Sequence, residues 1–344
     1  MRPTLTCLAA LMTAPALADE IRVLNWQGYG TDAPWATEAF TAATGHTVVH
    51  DYFNSEQEML TKLRTNPGAY DVVLINSAFT AQAQAEGLIA PIDAALIPNL
   101  TDVDPALAGN PDLSPGGALH GVPWTWGLTS FAVSTDAFPE PPTSLEVFWD
   151  PAYAGQVSIR DDALEAVQFA ALATGQNIND IADLEAVRAR LAALMPQIST
   201  YWSSENDWNQ FMAAGDFVIG TYWSGSALRS AGMGLPVAFV VPQEGAIGWL
   251  DGLSVPTGST RSQAAHAFVN WMIDPDFYTR WEAEGAPFSA STAAMAALDP
   301  ASPTAQFAAS LTPDRMTSVQ FMQPVSDEDR EAYLALWQDL KAQQ

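Results

Sequence analysis

The 344-residue sequence holds a single cysteine, Cys7, and few cations: 13 lysines and arginines stand against 39 aspartates and glutamates. That acidic excess excludes nucleic acid and anionic membrane as partners, since both repel a strongly negative surface. No run after the first residues is apolar for long enough to cross a bilayer, so no direct membrane insertion is expected. The patterns G-x-S-x-G, H-E-x-x-H and the phosphate-binding loop are all missing. The four histidines, His46, His50, His120 and His266, are scattered. Nothing assembles a nucleophile, a metal site or a cofactor cradle, so no catalytic residue, metal ligand or cofactor is expected.

Residues 1–18 read as a cleavable signal peptide. Met1-Arg2 is a positive start, Leu5 to Met12 is mostly apolar, and Ala16-Leu17-Ala18 is a small-x-small site before Asp19. Cys7 falls inside this segment, too near the start for a lipoprotein anchor. Export without disulfides requires a fold that stands on its own core. Loss of Arg2 leaves 12 cations against 39 acids, a net charge of −27. The remaining chain exceeds what one core usually organises, and two domains follow. The expected location is the periplasm.

The N-terminal part alternates strand and helix. Ile21–Asn25, Thr47–Asp51 and the run "DVVLI" at 71–75 are β-like, with helical spacing over Asp32–Thr44 and Ser55–Arg64. This is the pattern of βαβ units and a mostly parallel sheet. A long β-rich stretch at 120–134 precedes the breaker cluster "FPEPPTS" at 138–144. A second α/β set follows, with strands near 157–159, 217–222, 237–242 and 250–256 and helices from Asp162, Asp183 and Asp207. From Arg261 the chain is mainly helical. Trp35, Trp149, Trp271, Trp281 and Trp337 lie in helical runs and are assigned to packing.

Ligands of open α/β sheets sit beyond the carboxyl ends of strands, and there the chain places aromatic and acidic residues. The first strand runs into Trp26-Gln27-Gly28-Tyr29, another into Asp161-Asp162, and a third into Trp223-Ser224-Gly225. Trp249 and Asp251 open a further strand. Carboxylates bind ammonium through charge-assisted hydrogen bonds, and Trp or Tyr faces add cation–π attraction. In "SIRDDALEAVQFA" (158–170), Asp162 with Glu165 three residues on also reads as a capping box.

These stretches, taken in order, resemble the periplasmic spermidine/putrescine-binding proteins of ABC importers. The likeness spans about Ile21 to Lys341 and rests on "LNWQGYG", "GAYDVVLINS", "VPWTWG", "DDALEAVQFAA", "YWSGSA", "GAIGWLDGLSVP" and "YLALWQDLK". It implies an α/β, two-lobe type II periplasmic binding protein fold with two crossing segments, closing on its ligand by hinge motion. The expected lobes are 19–127 with 253–300, and 128–252 with 301–344. The resemblance implies a monomeric receptor that captures a small cationic amine, putrescine or polyamine-like, and delivers it to an ABC transporter membrane permease. It carries ligand-binding roles to Trp26, Tyr29, Asp162, Glu165, Trp223, Trp249, Asp251 and Gln323. On this reading Asp162 and Glu165 cap the helix and face the cleft at once.

The sequence departs from the family pattern at Gly28, where an acidic residue is common, at Asn76-Ser77-Ala78 and at Ala286, with Phe79 and Phe288 beside the gaps. The second lobe's end of the pocket is therefore expected to be intact and the first lobe's end pared down. One alternative keeps the fold but takes another cation, such as a quaternary amine or an amino-acid derivative, in an aromatic cage. A remote one is an exported carboxylate-dependent hydrolase.

Overall fold

The computed structural model describes residues 18–343, so the expected signal peptide lies outside the described residues except for Ala18. Its strands are β1 (Glu20–Asn25), β2 (Thr47–Tyr52), β3 (Val72–Asn76), β4 (Ile89–Ala90), β5 (Val122–Ser134) and β6 (Val157–Arg160). They continue as β7 (Ile198–Trp202), β8 (Ile219–Trp223), β9 (Val237–Val240), β10 (Ala246–Pro256), β11 (Phe288–Ser289) and β12 (Val319–Phe321). They join in the order β2-β1-β3-β10-β5-β8-β6-β7, with β4 and β12 added to β10 and β9 and β11 to β5.

Pairing is parallel on both flanks, β2-β1-β3 and β8-β6-β7, and antiparallel through the middle. The parallel strands are buried as such strands must be when helices cover both faces; all five residues of β3 are buried. The helices between them follow from their caps. In Glu56–Thr65, Ser55 accepts the Glu58 N–H, acids fill the first turn, Lys62 and Arg64 the last, and Met59, Leu60 and Leu63 face inward. β7 was not foreseen: in "ISTYW" only Trp202 is buried, which fits the edge position of this strand.

Apolar side chains form a first core from residues 21–124 and 253–298. A second gathers residues 131–247 and 333–340, with a satellite around Trp202, Trp208, Phe217 and Tyr222. Two long strands cross between the cores. β5 pairs with β11 near its start and with β8 and β9 further on, while β10 pairs with β12 at its start and with β3 and β4 at its end. Beyond these strands, two arginines join the lobes. Arg229 binds Glu205 on its own side and donates to the Gly285 carbonyl on the other at 2.6 Å. Arg330 reaches Gln82 at 3.1 Å and lies over Phe79.

Candidate functional site

Where β5 and β10 run side by side, their register slips between Asp251 and Gly252, so that Asp251 faces Thr125 and Gly252 faces Pro123. A bulge bends a strand and re-aims side chains, and Pro123 is tolerated where the ladder is already interrupted. Asp251 is thereby buried, at 7% exposure. It accepts from the Tyr29 hydroxyl and from Asn76 Nδ2, each at 3.0 Å. Burial outweighs both hydrogen bonds and pushes its pKa up to about 6. Among the described residues it forms no ion pair.

Tyr29 arrives on the loop after β1. Asn25, buried at the strand end, holds that loop by donating to the Thr31 hydroxyl (2.8 Å) and the Tyr29 carbonyl (3.3 Å). The Tyr29 ring meets Trp124 and Trp281 edge-on, and its hydroxyl also touches Thr125. Burial, then the Asp251 charge, raises the Tyr29 pKa well above the phenol range, so it stays a donor. Gly30, in the left-handed region at φ +77°, is required here, because a Cβ would lie 2.5 Å from the Trp281 ring. Trp26, half-buried, packs on Phe53 at the end of the neighbouring strand. Trp249 lies across Gly127, where a Cβ would come within 2.4 Å, and its buried indole N–H has no acceptor.

On the second lobe, Asp162 caps the helix Ala163–Ala173 by accepting the Glu165 N–H at 3.0 Å. The expected capping box is only half formed. Glu165 turns its carboxylate away from the helix end towards Arg160, 3.1 Å away, and the Trp223 indole, 3.4 Å away. A charged donor outcompetes a return bond to the N-cap backbone. The Arg160 guanidinium lies 4.9 Å over the Trp223 ring. The chain thus supplies its own cation to two groups that the resemblance gave to the ligand. Glu165 Oε1 still lacks a partner, and burial raises this carboxyl's pKa despite the arginine.

Sequence reasoning missed two charged residues here. Arg160 is one. Glu56 is the other, a first-turn residue whose pKa is pushed up to about 8 by burial and then by the Asp251 charge. Nothing in a single sequence brings the helical Glu56 to Asn76 and Asp251, which lie on β3 and β10. Gln323 is exposed, and only its backbone N–H is engaged, with Asn179; the structure does not join it to the other site residues by a hydrogen bond. Phe79 packs under Arg330, and Phe288 packs on Trp126 and Phe307.

A profile described as bacterial extracellular solute-binding protein matches residues 35–313. The chain belongs to this family. The spermidine/putrescine-binding periplasmic protein of Escherichia coli K12 is 33% identical over 274 residues, covering 78% of this chain and 77% of its own. The namesake protein 1 of Haemophilus influenzae is 30% identical, covering 76% and 73%. A structure titled as a putative spermidine/putrescine ABC transporter from Listeria monocytogenes superposes with a TM-score of 0.83 at 20% identity, over 94% of this chain and 99% of that one. The two cores and crossing strands are accordingly the two-lobe binding-protein fold of solute-binding proteins.

Proposed function

We propose that this solute-binding protein is a periplasmic receptor for a small polyamine-like cation, with putrescine as the reference ligand, that acts as a monomer and hands its cargo to an ABC importer. Asp251 carries the reading. A carboxylate buried at the lobe junction, raised to a pKa of about 6 and without an internal cation, is stabilised by an ammonium from outside. Tyr29 donates to it, Trp249 two residues earlier on β10 has an unused indole donor, and Trp26 follows the strand that leads to the Tyr29 loop. Relatives with the names above support the ligand class and the compartment, and membership of a solute-binding family supports a receptor rather than an enzyme.

A thermal-shift panel of putrescine, cadaverine, spermidine, choline, betaine and basic amino acids tests this. Putrescine should raise the melting temperature by mass action and be recovered intact by mass spectrometry. A panel without any stabilising amine, or conversion of the bound amine, rejects the reading. Arg160 favours one second reading, an amino-acid derivative whose carboxylate meets the guanidinium; stabilisation by such zwitterions alone would select it.

A further inference from the structure

The helix Glu56–Thr65 does not need Glu56. Its cap is complete without it, because Ser55 accepts the Glu58 N–H and Glu58 returns a bond to the Asn54 N–H at 2.9 Å. Glu56 instead turns to the end of β3. Its Oε1 receives only a long bond, 3.4 Å, from the Asn76 N–H, and its Oε2 is buried with no partner. The same Asn76 gives its side-chain N–H to Asp251. One asparagine therefore spans two carboxylates, its backbone to one and its side chain to the other. The charged groups that act on Glu56 come from three elements: Asp251 on β10, Arg160 at the end of β6 and Asp162 at the following helix start. Those last two belong to the opposite lobe, so Glu56 faces the cleft.

We infer that Glu56 is a ligand-contacting carboxylate that takes one ammonium of a diamine from the first lobe while Asp251 takes the other at the crossing strands. This rests on the amine reading above and deepens it. Gly28 offers no side chain to a second nitrogen, and Arg160 already occupies Glu165 and Trp223. Among the described residues, Glu56 Oε2 is the one buried carboxylate oxygen in the first lobe that lacks a donor. It would make a two-headed cation the preferred cargo. Ionised, Glu56 and Asp251 match two ammonium charges.

The test measures putrescine affinity by calorimetry at pH 7.5, and the melting temperature of the unliganded protein, for wild type, Glu56→Gln and Glu56→Asp. Glu56→Gln should weaken putrescine at least tenfold while leaving the unliganded melting temperature unchanged or higher, since an isolated buried carboxyl is removed. Glu56→Asp should fall between. Unchanged putrescine affinity in Glu56→Gln overturns the inference and leaves the receptor reading standing. Weaker binding together with a lower melting temperature, or failure to fold, assigns Glu56 to structure and also overturns it. A wild-type protein that binds no amine removes the reading beneath it.

Discussion

Asp251 has a hydrogen bond on each oxygen, and still burial dominates its titration. Here these two neutral donors offset less than burial costs, and an opposite charge closes the gap. Asp251→Asn should therefore weaken putrescine by about 2–4 kcal/mol, roughly thirtyfold to a thousandfold, as calorimetry would show. Asp162 separates its two duties differently. Asp162→Ala should cost about 1 kcal/mol of stability in urea unfolding, because the cap is lost, while Asp162→Asn keeps the cap and costs only a few tenths. If both substitutions destabilise equally, the cap is not what holds that helix start.

At the level of elements, strands and helices were legible wherever a continuous apolar run or a cap marked them, as in β3 and in the helix after Ser55. Trp26, Asp162 and Trp223 do stand at or just beyond strand ends, but Trp249 and Asp251, expected to open a strand, lie inside β10, which already begins at Ala246. Arg160 was not, because the last residue of a strand points into the cleft or away from it only according to register and lobe docking. Glu56 was hidden for the opposite reason: a first-turn glutamate has an ordinary explanation that needs no partner. The end of β6 also gives a prediction. Arg160→Gln frees Glu165 and the Trp223 face for an external cation. Spermidine should then gain at least fivefold in affinity relative to putrescine, measured by competition calorimetry. A fixed ratio would mean that the guanidinium does not limit ligand length.

For the molecule as a whole, the cleft couples binding to pH. The carboxyls of Asp251 and Glu56 have folded pKa values above their ordinary ones, about 6 and about 8. The folded protein therefore holds more protons than the unfolded chain between the ordinary carboxylate range and those values. These two groups stabilise the fold at low pH and lose that contribution as pH rises through 6 and then 8. A bound dication reverses the trend by favouring the ionised forms. Asp162, Arg160 and Tyr29 face the same pair and adjust these values without changing the sign. The melting-temperature gain from saturating putrescine should grow from pH 5 to pH 8.5; a constant or shrinking gain would place the amine elsewhere.

The bulge that seats Asp251 lies on a crossing strand, whereas the arginine contacts to Gly285 and Gln82 join the lobes beyond those strands. If the crossing strands are the pivot, a small ligand acts on the short arm of a lever. A small rearrangement around the carboxylate then becomes a larger displacement at the rim. An importer that feels only the outer surface would then read occupancy as the spacing between two rims, without touching the cargo.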